Sequence, residues 1–199
     1  MSGIEVRWAT DEDIPEIFSL IKELAEFEKA LDCVKTIEAQ LASDLRAKHF
    51  VAVVATVPVS ASRRTVGFAL LHTRYSTWFV ALSPLLLFSI LPLANLSLTL
   101  LLLTHHHHRR EGLCLHLEDL YVQQEYRQRG IGTLLIECCV KYTHSLGCKR
   151  LCWEVLDWNE NAIRFYKKLG AEILDTWRCV RLSGDKLMSY EISSDQFKV

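Results

Sequence analysis

The 199-residue sequence has no Cys-x-x-C pair, no excess of basic over acidic residues and no apolar stretch at its N-terminus. Its seven cysteines, Cys33, Cys114, Cys138, Cys139, Cys148, Cys152 and Cys179, lack zinc-type spacing, and an odd number does not close a disulfide framework. They read as reduced thiols of a cytoplasmic protein. Lys+Arg number 23 against 24 Asp+Glu, a formal net charge of −1, which argues against a strongly basic nucleic-acid binder. The opening segment MSGIEVRWATDED is charged and lacks an apolar core, so no secretory leader is expected there. The length suits one domain, 1–199.

Formal charge is also missing from 79–104, FVALSPLLLFSILPLANLSLTLLLLT. By length and apolarity this block qualifies as a membrane span. Pro84, Pro92 and Asn95 weaken that reading, and a single crossing would separate the strand before it from the motif after it. Removing 79–110 joins Trp78 to Glu111 as YSTW-EGLCLHLEDLYV, a short turn between two strands. The expectation is therefore an apolar insertion, 79–110, in a strand-strand loop, with translated intron as one source. His105 to His108 sit side by side, where neighbouring side chains point in different directions, so no metal is expected from them. The sequon Asn95-Leu96-Ser97 reads as accidental in a cytosolic chain.

Ahead of the block, 4–8 alternates as a strand, and Thr10 with Asp13 three residues on forms a box-like helix start. Ile14, Ile17, Phe18, Ile21, Leu24 and Ala25 then recur at helical spacing, with Pro15 in the first turn. Phe27 and Glu28 close that segment. A second helix is expected over 36–48, a strand over 49–57 ended by Pro58, a loop over 60–64 and a returning strand over 66–75. Such an order suits a mostly antiparallel sheet with helices packed on it.

The most informative stretch is LHLEDLYVQQEYRQRGIGTLL, from Leu115 to Leu135. Strict alternation would put Leu115, Leu117, Asp119 and Tyr121 on one face, and His116, Glu118, Leu120 and Val122 on the other, splitting the carboxylate pair. Arg127-Gln128-Arg129-Gly130-Ile131-Gly132 follows, opening a helix over 133–146. Glycines at a helix start let unpaired N–H groups approach an anion, and phosphate is the natural guest. No lysine follows the second glycine, which argues against a nucleoside triphosphatase loop. Further on, 150–156 reads as a strand and Asn159 or Asn161 as the cap of a helix over 162–169. The segments 175–182 and 186–191 read as a closing hairpin around Ser183-Gly184-Asp185, and Trp177 suits a substrate surface, a dimer surface or burial.

Taken together, LEDLYV, the R-x-x-G-x-G turn and WNENAIRFYKKLGA resemble the GNAT superfamily of acetyl-CoA-dependent N-acetyltransferases, in particular its diamine (spermidine/spermine) and thialysine branch. The likeness extends to RWATDEDIPEIFSLIKELAEFEK and VGFALLHTRYSTW and fails over 79–110. It implies an α/β fold with a mixed, mostly antiparallel sheet whose central strands part after Asp119, acetyl-CoA as donor, no metal, and a homodimer. By the same resemblance, the N–H groups of Arg127, Gln128, Arg129, Gly130, Ile131, Gly132 and Thr133 would hold the pyrophosphate. Leu120, Tyr121, Val122 and Asn159 would hold the pantetheine arm. Tyr166 would be the general acid and Glu118 the general base. Phe27, Glu28, Glu118, Asp119 and Glu154 would face a diamine, polyamine or thialysine-like amine, with a protein lysine second in order. The rival reading is a catalytically silent or membrane-associated protein in which the insertion disrupts the site.

Overall fold

The computed structural model describes residues 3–76, 112–176 and 178–189. These fall into two compact units, 1–154 and 155–199. The insertion 79–110, its histidine run and sequon, and Trp177 lie outside the described residues.

The first unit is a five-stranded sheet in the order β1 (Glu5–Trp8), β2 (Val51–Val59), β3 (Ser62–Tyr75), β4 (Leu113–Val122), β5 (Leu151–Cys152). The first three pairings are antiparallel and β4–β5 is parallel, as the expected mixed sheet requires. Its helices are α1 (Ile14–Phe27), α2 (Glu38–Arg46) and α3 (Ile131–Ser145). On one face, Ile14, Ile17 and Phe18 of α1 pack with Ala52, Val54, Phe68, Leu70 and Tyr121. Helix α3 packs on β2, β3 and β4, burying Ile131, Leu135 and Cys139. Both faces are thus covered, which is why Ala52 to Thr56 form an unbroken buried run instead of an alternating one. Full burial of a side chain such as Ile17 or Phe68 contributes roughly 1.5–3 kcal/mol.

The start of α1 follows the expected chemistry. Asp13 accepts from the Thr10 N–H at 2.7 Å and holds Arg7 in a two-pronged pair at 2.7 and 2.8 Å. Burial opposes charge on Asp13, but the Arg7 and Thr10 bonds outweigh it and hold its carboxyl below the usual range.

The hairpin between β2 and β3 is tighter than expected. Pro58 does not end β2; it pairs with Arg63 near the end of the hairpin, and the turn shrinks to Ser60 and Ala61. At the far end of β3, Tyr75 pairs with Leu113 and the Ser76 N–H donates to the Gly112 carbonyl at 2.7 Å. The two chain ends flanking the insertion are therefore already held at hairpin distance. Deleting residues 79–110 should leave a folded protein with an unchanged far-UV spectrum and a Tm no lower than that of the full chain; an insoluble product would show that the segment is integral to the fold.

In the second unit, α4 (Glu160–Lys168) begins at Asn159, whose Oδ1 accepts from the Ala162 N–H at 3.2 Å, as the capping expectation held. The expected closing hairpin is not formed. Residues 178–183 carry no strand, and α5 (Asp185–Met188) is a single helical turn in which Leu187 and Met188 donate to the Gly184 carbonyl. Gly184 takes φ +61°, which turns the chain, and without a partner strand among the described residues an extended pair has nothing to bond.

Candidate active site

Strand β4 carries a bulge at the point that matters. Leu71 pairs with Leu117 and Leu70 with Asp119, so Glu118 is the extra residue with no partner on β3. The bulge reverses the alternation beyond it. Asp119 and Tyr121 share the α1 face with Leu70 and Phe68, while Leu117 lies on the other face with Leu71. Glu118 keeps the face it shares with His116: its Oε2 lies 3.3 Å from His72 Nε2, and His72 alternates with Leu70 on the α1 face. The carboxylate pair expected to split across the sheet is instead brought to one side. Alternation failed here because it assumes a ladder without an inserted residue.

Glu28, at the end of α1, joins the same group. Burial raises the Glu28 carboxyl, and it acts on Asp119, whose carboxyl is pushed up to about 7 by burial first and by Glu118 and Glu28 next. Three acids thus crowd a half-desolvated surface, an arrangement suited to a cationic guest. Glu154 belongs to the same unit and accepts from His116 Nε2 at 2.9 Å, with Glu118 Oε2 3.7 Å from that nitrogen. Phe27 stands beside them under the Arg127 guanidinium, 5.3 Å from its ring centre.

A crowded carboxyl with a raised folded value makes stability fall with pH. Between about 4 and 7 the unfolded chain has released the Asp119 proton and the folded chain has not, so unfolding becomes easier as pH rises through that window and flat above it. Asp119→Asn should remove this slope and raise stability at pH 8 by on the order of 1–3 kcal/mol, several degrees in Tm. Thermal melts of both proteins from pH 4 to 8 check it, and parallel curves would show that Asp119 ionises normally.

The ladder between β4 and β5 holds only Leu115↔Leu151 and His116↔Cys152. The strands therefore part after His116, earlier than the expected Asp119, and β5 ends at Cys152 instead of running to 156. Among the described residues nothing pairs with β4 on that side from Leu117 to Val122, which leaves backbone groups of Leu120 and Val122 at an open edge, while those of Tyr121 face β3, as the Gln123 N–H bond to the Val66 carbonyl two residues on requires. The Val122 carbonyl is taken: Arg127 Nε donates to it at 2.8 Å. Arg127 also lies over the Tyr121 ring, while Arg129 lies over Tyr126.

Below that edge the glycine turn has the expected geometry. Gly130 takes φ +80° at the start of α3, a conformation that disfavours any residue with a Cβ. The first helical bond runs from the Leu134 N–H to the Gly130 carbonyl, so the N–H groups of Ile131, Gly132 and Thr133 precede the ladder, and no side chain caps them. A cavity of about 660 Å³ lies beside the turn, lined in part by Gln128, Arg129, Gly130 and Ile131. Donors and room fit the diphosphate of a CoA-type donor.

Tyr166 and Asn159 stand in the second unit. Tyr166 is buried on α4, its ring 5.4 Å from that of Phe165. Burial pushes Cys139 up to about 12 and raises Cys152, so neither offers a competing nucleophile, and no disulfide joins the described cysteines. Residues that the sequence reading missed are His72, His116 and Glu23, the last accepting from Tyr121 Oη at 3.3 Å and Gln123 Nε2 at 2.9 Å.

Residues 27–171 match the family model described as acetyltransferase (GNAT) family. The chain belongs to that family. It is 31% identical to the thialysine N-epsilon-acetyltransferase of Bos taurus, covering 94% of this chain and 96% of that protein. It is 27% identical to human spermidine/spermine N(1)-acetyltransferase-like protein 1 over 94% of this chain and 24% of that longer one. Among solved structures, an aminoglycoside N-acetyltransferase in complex with CoA superposes with a TM-score of 0.61 at 16% identity, covering 92% of this chain and 95% of that one, a likeness of fold. As a GNAT protein the chain is an N-acetyltransferase, and its acceptor is an amine.

Proposed function

We propose that the protein moves the acetyl group of acetyl-CoA to a primary amine of a small cationic substrate, a diamine, a polyamine or a thialysine-like amino acid. The observation carrying this is the convergence of Glu28, Glu118 and Asp119, brought to one face by the β4 bulge. A substrate with a second ammonium group would find an anchor there while its reacting nitrogen is deprotonated. The names of the relatives, a thialysine and a spermidine/spermine-like acetyltransferase, support the same amine class.

Acetyl-CoA supplies an activated thioester. The N–H groups of Ile131 to Thr133, with Gln128 and Arg129, hold its phosphates, and the open edge at Leu120 orients the arm. Arg127 shapes this edge through its bond to Val122. Glu118 takes the proton of the ammonium, directly or through one water, and Tyr166 Oη donates to the departing thiolate. Asn159 assists on the donor side.

In this reading both units form one catalytic domain that works as a cytoplasmic homodimer. The family match across 27–171, which takes in residues of both units, supports the single domain. No described helix is long and apolar enough to cross a membrane.

Release of free thiol from acetyl-CoA, followed with a panel of diamines, polyamines, thialysine and a lysine peptide, tests the reading. Acetyl-CoA should also raise Tm, because it binds the folded form. Gly130→Val should lose that shift, since its φ of +80° and the added Cβ both obstruct the cradle. A Tm shift without thiol release for any amine would favour the silent rival; no shift at millimolar donor would remove the donor assignment altogether.

A further inference from the structure

We propose that His72, His116 and Glu118 form a binding site for a Zn2+-class divalent ion, and that occupying it inhibits the enzyme. His72 and His116 are direct cross-strand partners in the β3–β4 ladder, with ring centres 5.0 Å apart. Glu118, two residues beyond His116 and on the same face, reaches both. Its Oε2 lies 3.3 Å from His72 Nε2 and 3.7 Å from His116 Nε2, and the ligand atoms of all three residues lie within 4.8 Å of one another. Metal bonds of about 2.0–2.1 Å in a tetrahedron put neighbouring donors roughly 3.3–3.4 Å apart. Two edges of such a site are therefore nearly formed before any ion arrives. Two imidazoles and a carboxylate select zinc-type ions over magnesium or calcium, and leave a coordination position for water.

Two features limit the affinity. The ion must displace the 2.9 Å bond from His116 Nε2 to Glu154, and the buried His116 Nδ1 has no hydrogen-bond partner among the described residues to orient the ring. Missing support of that kind costs roughly 10–100-fold in metal affinity, which makes the site weaker than a structural one and suits it to reversible occupation. A metal on Glu118 removes the group that takes the substrate proton and sets a cation where the amine must arrive. Inhibition should therefore compete with the amine and not with acetyl-CoA. That consequence rests on the proposed function; binding itself does not.

The test uses the full chain carrying His105→Gln, His106→Gln, His107→Gln and His108→Gln, so that the histidine run supplies no ligands, after treatment with chelator. Zn2+ is titrated against a chromophoric chelator, and Co2+ is used as a spectroscopic probe. One equivalent should bind, with cobalt d–d absorption and no thiolate charge-transfer band, and His72→Asn should weaken binding at least tenfold. His72 is the informative position because it is partly exposed, whereas the buried His116 risks the fold. No binding at 100-fold excess over protein, unchanged affinity in His72→Asn, or a cobalt–thiolate band would overturn the site. Binding without inhibition would overturn the inhibitory role and, separately, count against Glu118 as the base.

Discussion

Replacing Tyr166 by phenylalanine is expected to lower turnover by roughly 10² to 10⁴, the range for loss of one positioned acid, while acetyl-CoA still raises Tm as it does for the parent. The ring stays on α4 beside Phe165, so packing is preserved and only the hydroxyl is lost. A buried tyrosine at this position has a plain alternative role as a core aromatic. The two roles predict different things. A core role costs stability and little rate; an acid role costs rate and little stability. The decisive measurement is turnover against thiol leaving-group basicity: an acyl donor with a more acidic thiol needs less protonation and should lose less of its rate in Tyr166→Phe. Near-full turnover with acetyl-CoA bound would return Tyr166 to its packing role.

The parts of the fold legible in the sequence are those governed by local chemistry. The stripe of Ile14, Ile17 and Phe18 specified α1, the Thr10–Asp13 box its start, and Asn159 the cap of α4. The Gly130 turn was legible for the same reason, because a positive φ at a helix start has few occupants besides glycine. What escaped depends on pairing. Whether Glu118 shares a face with Asp119 is decided by the register of β4 on β3, and the register was hidden because the insertion separates the two strands in sequence. The opposition of His72 and His116 was lost with it. Setting Tyr75 against Leu113 across the excised block would have paired Arg74 with Cys114 and His72 with His116, so the signal was present and unused. The length of β5 was misjudged because alternation over 150–156 persists where its partner strand has already turned away.

Bringing the acids together also changes which of them answers for the proton. Asp119, at about 7, holds its own proton for half the time near neutrality, and Glu118 is a cause of that. Asp119→Asn should then leave the amine anchor weaker, seen as a higher KM for a diamine than for a monoamine, alongside the gain in stability argued above. Stability and substrate attraction pull in opposite directions at this one position.

Glu118→Gln should lower kcat/KM by roughly 10² to 10³ at pH 7 and recover a large part of that loss by pH 9.5. The amide keeps the size of the side chain and its place in the bulge, but it cannot take a proton. An alkyl amine near 10 is almost wholly protonated at pH 7, and each unit of pH multiplies the reactive free base about tenfold until the amine's own value is reached. The variant therefore depends on solvent to do what Glu118 does in the parent, and its log rate should climb with a slope near one across that range. Tyr166→Phe should show no such recovery, since raising pH removes protons that the thiolate needs. Removing Glu118 also removes a negative neighbour from Asp119, so the melting curve of the Gln variant should lose part of its slope between pH 4 and 7. A Gln variant whose rate stays low at pH 9.5 while its melting slope flattens would mean that Glu118 tunes the acidic surface and that the proton leaves through Asp119.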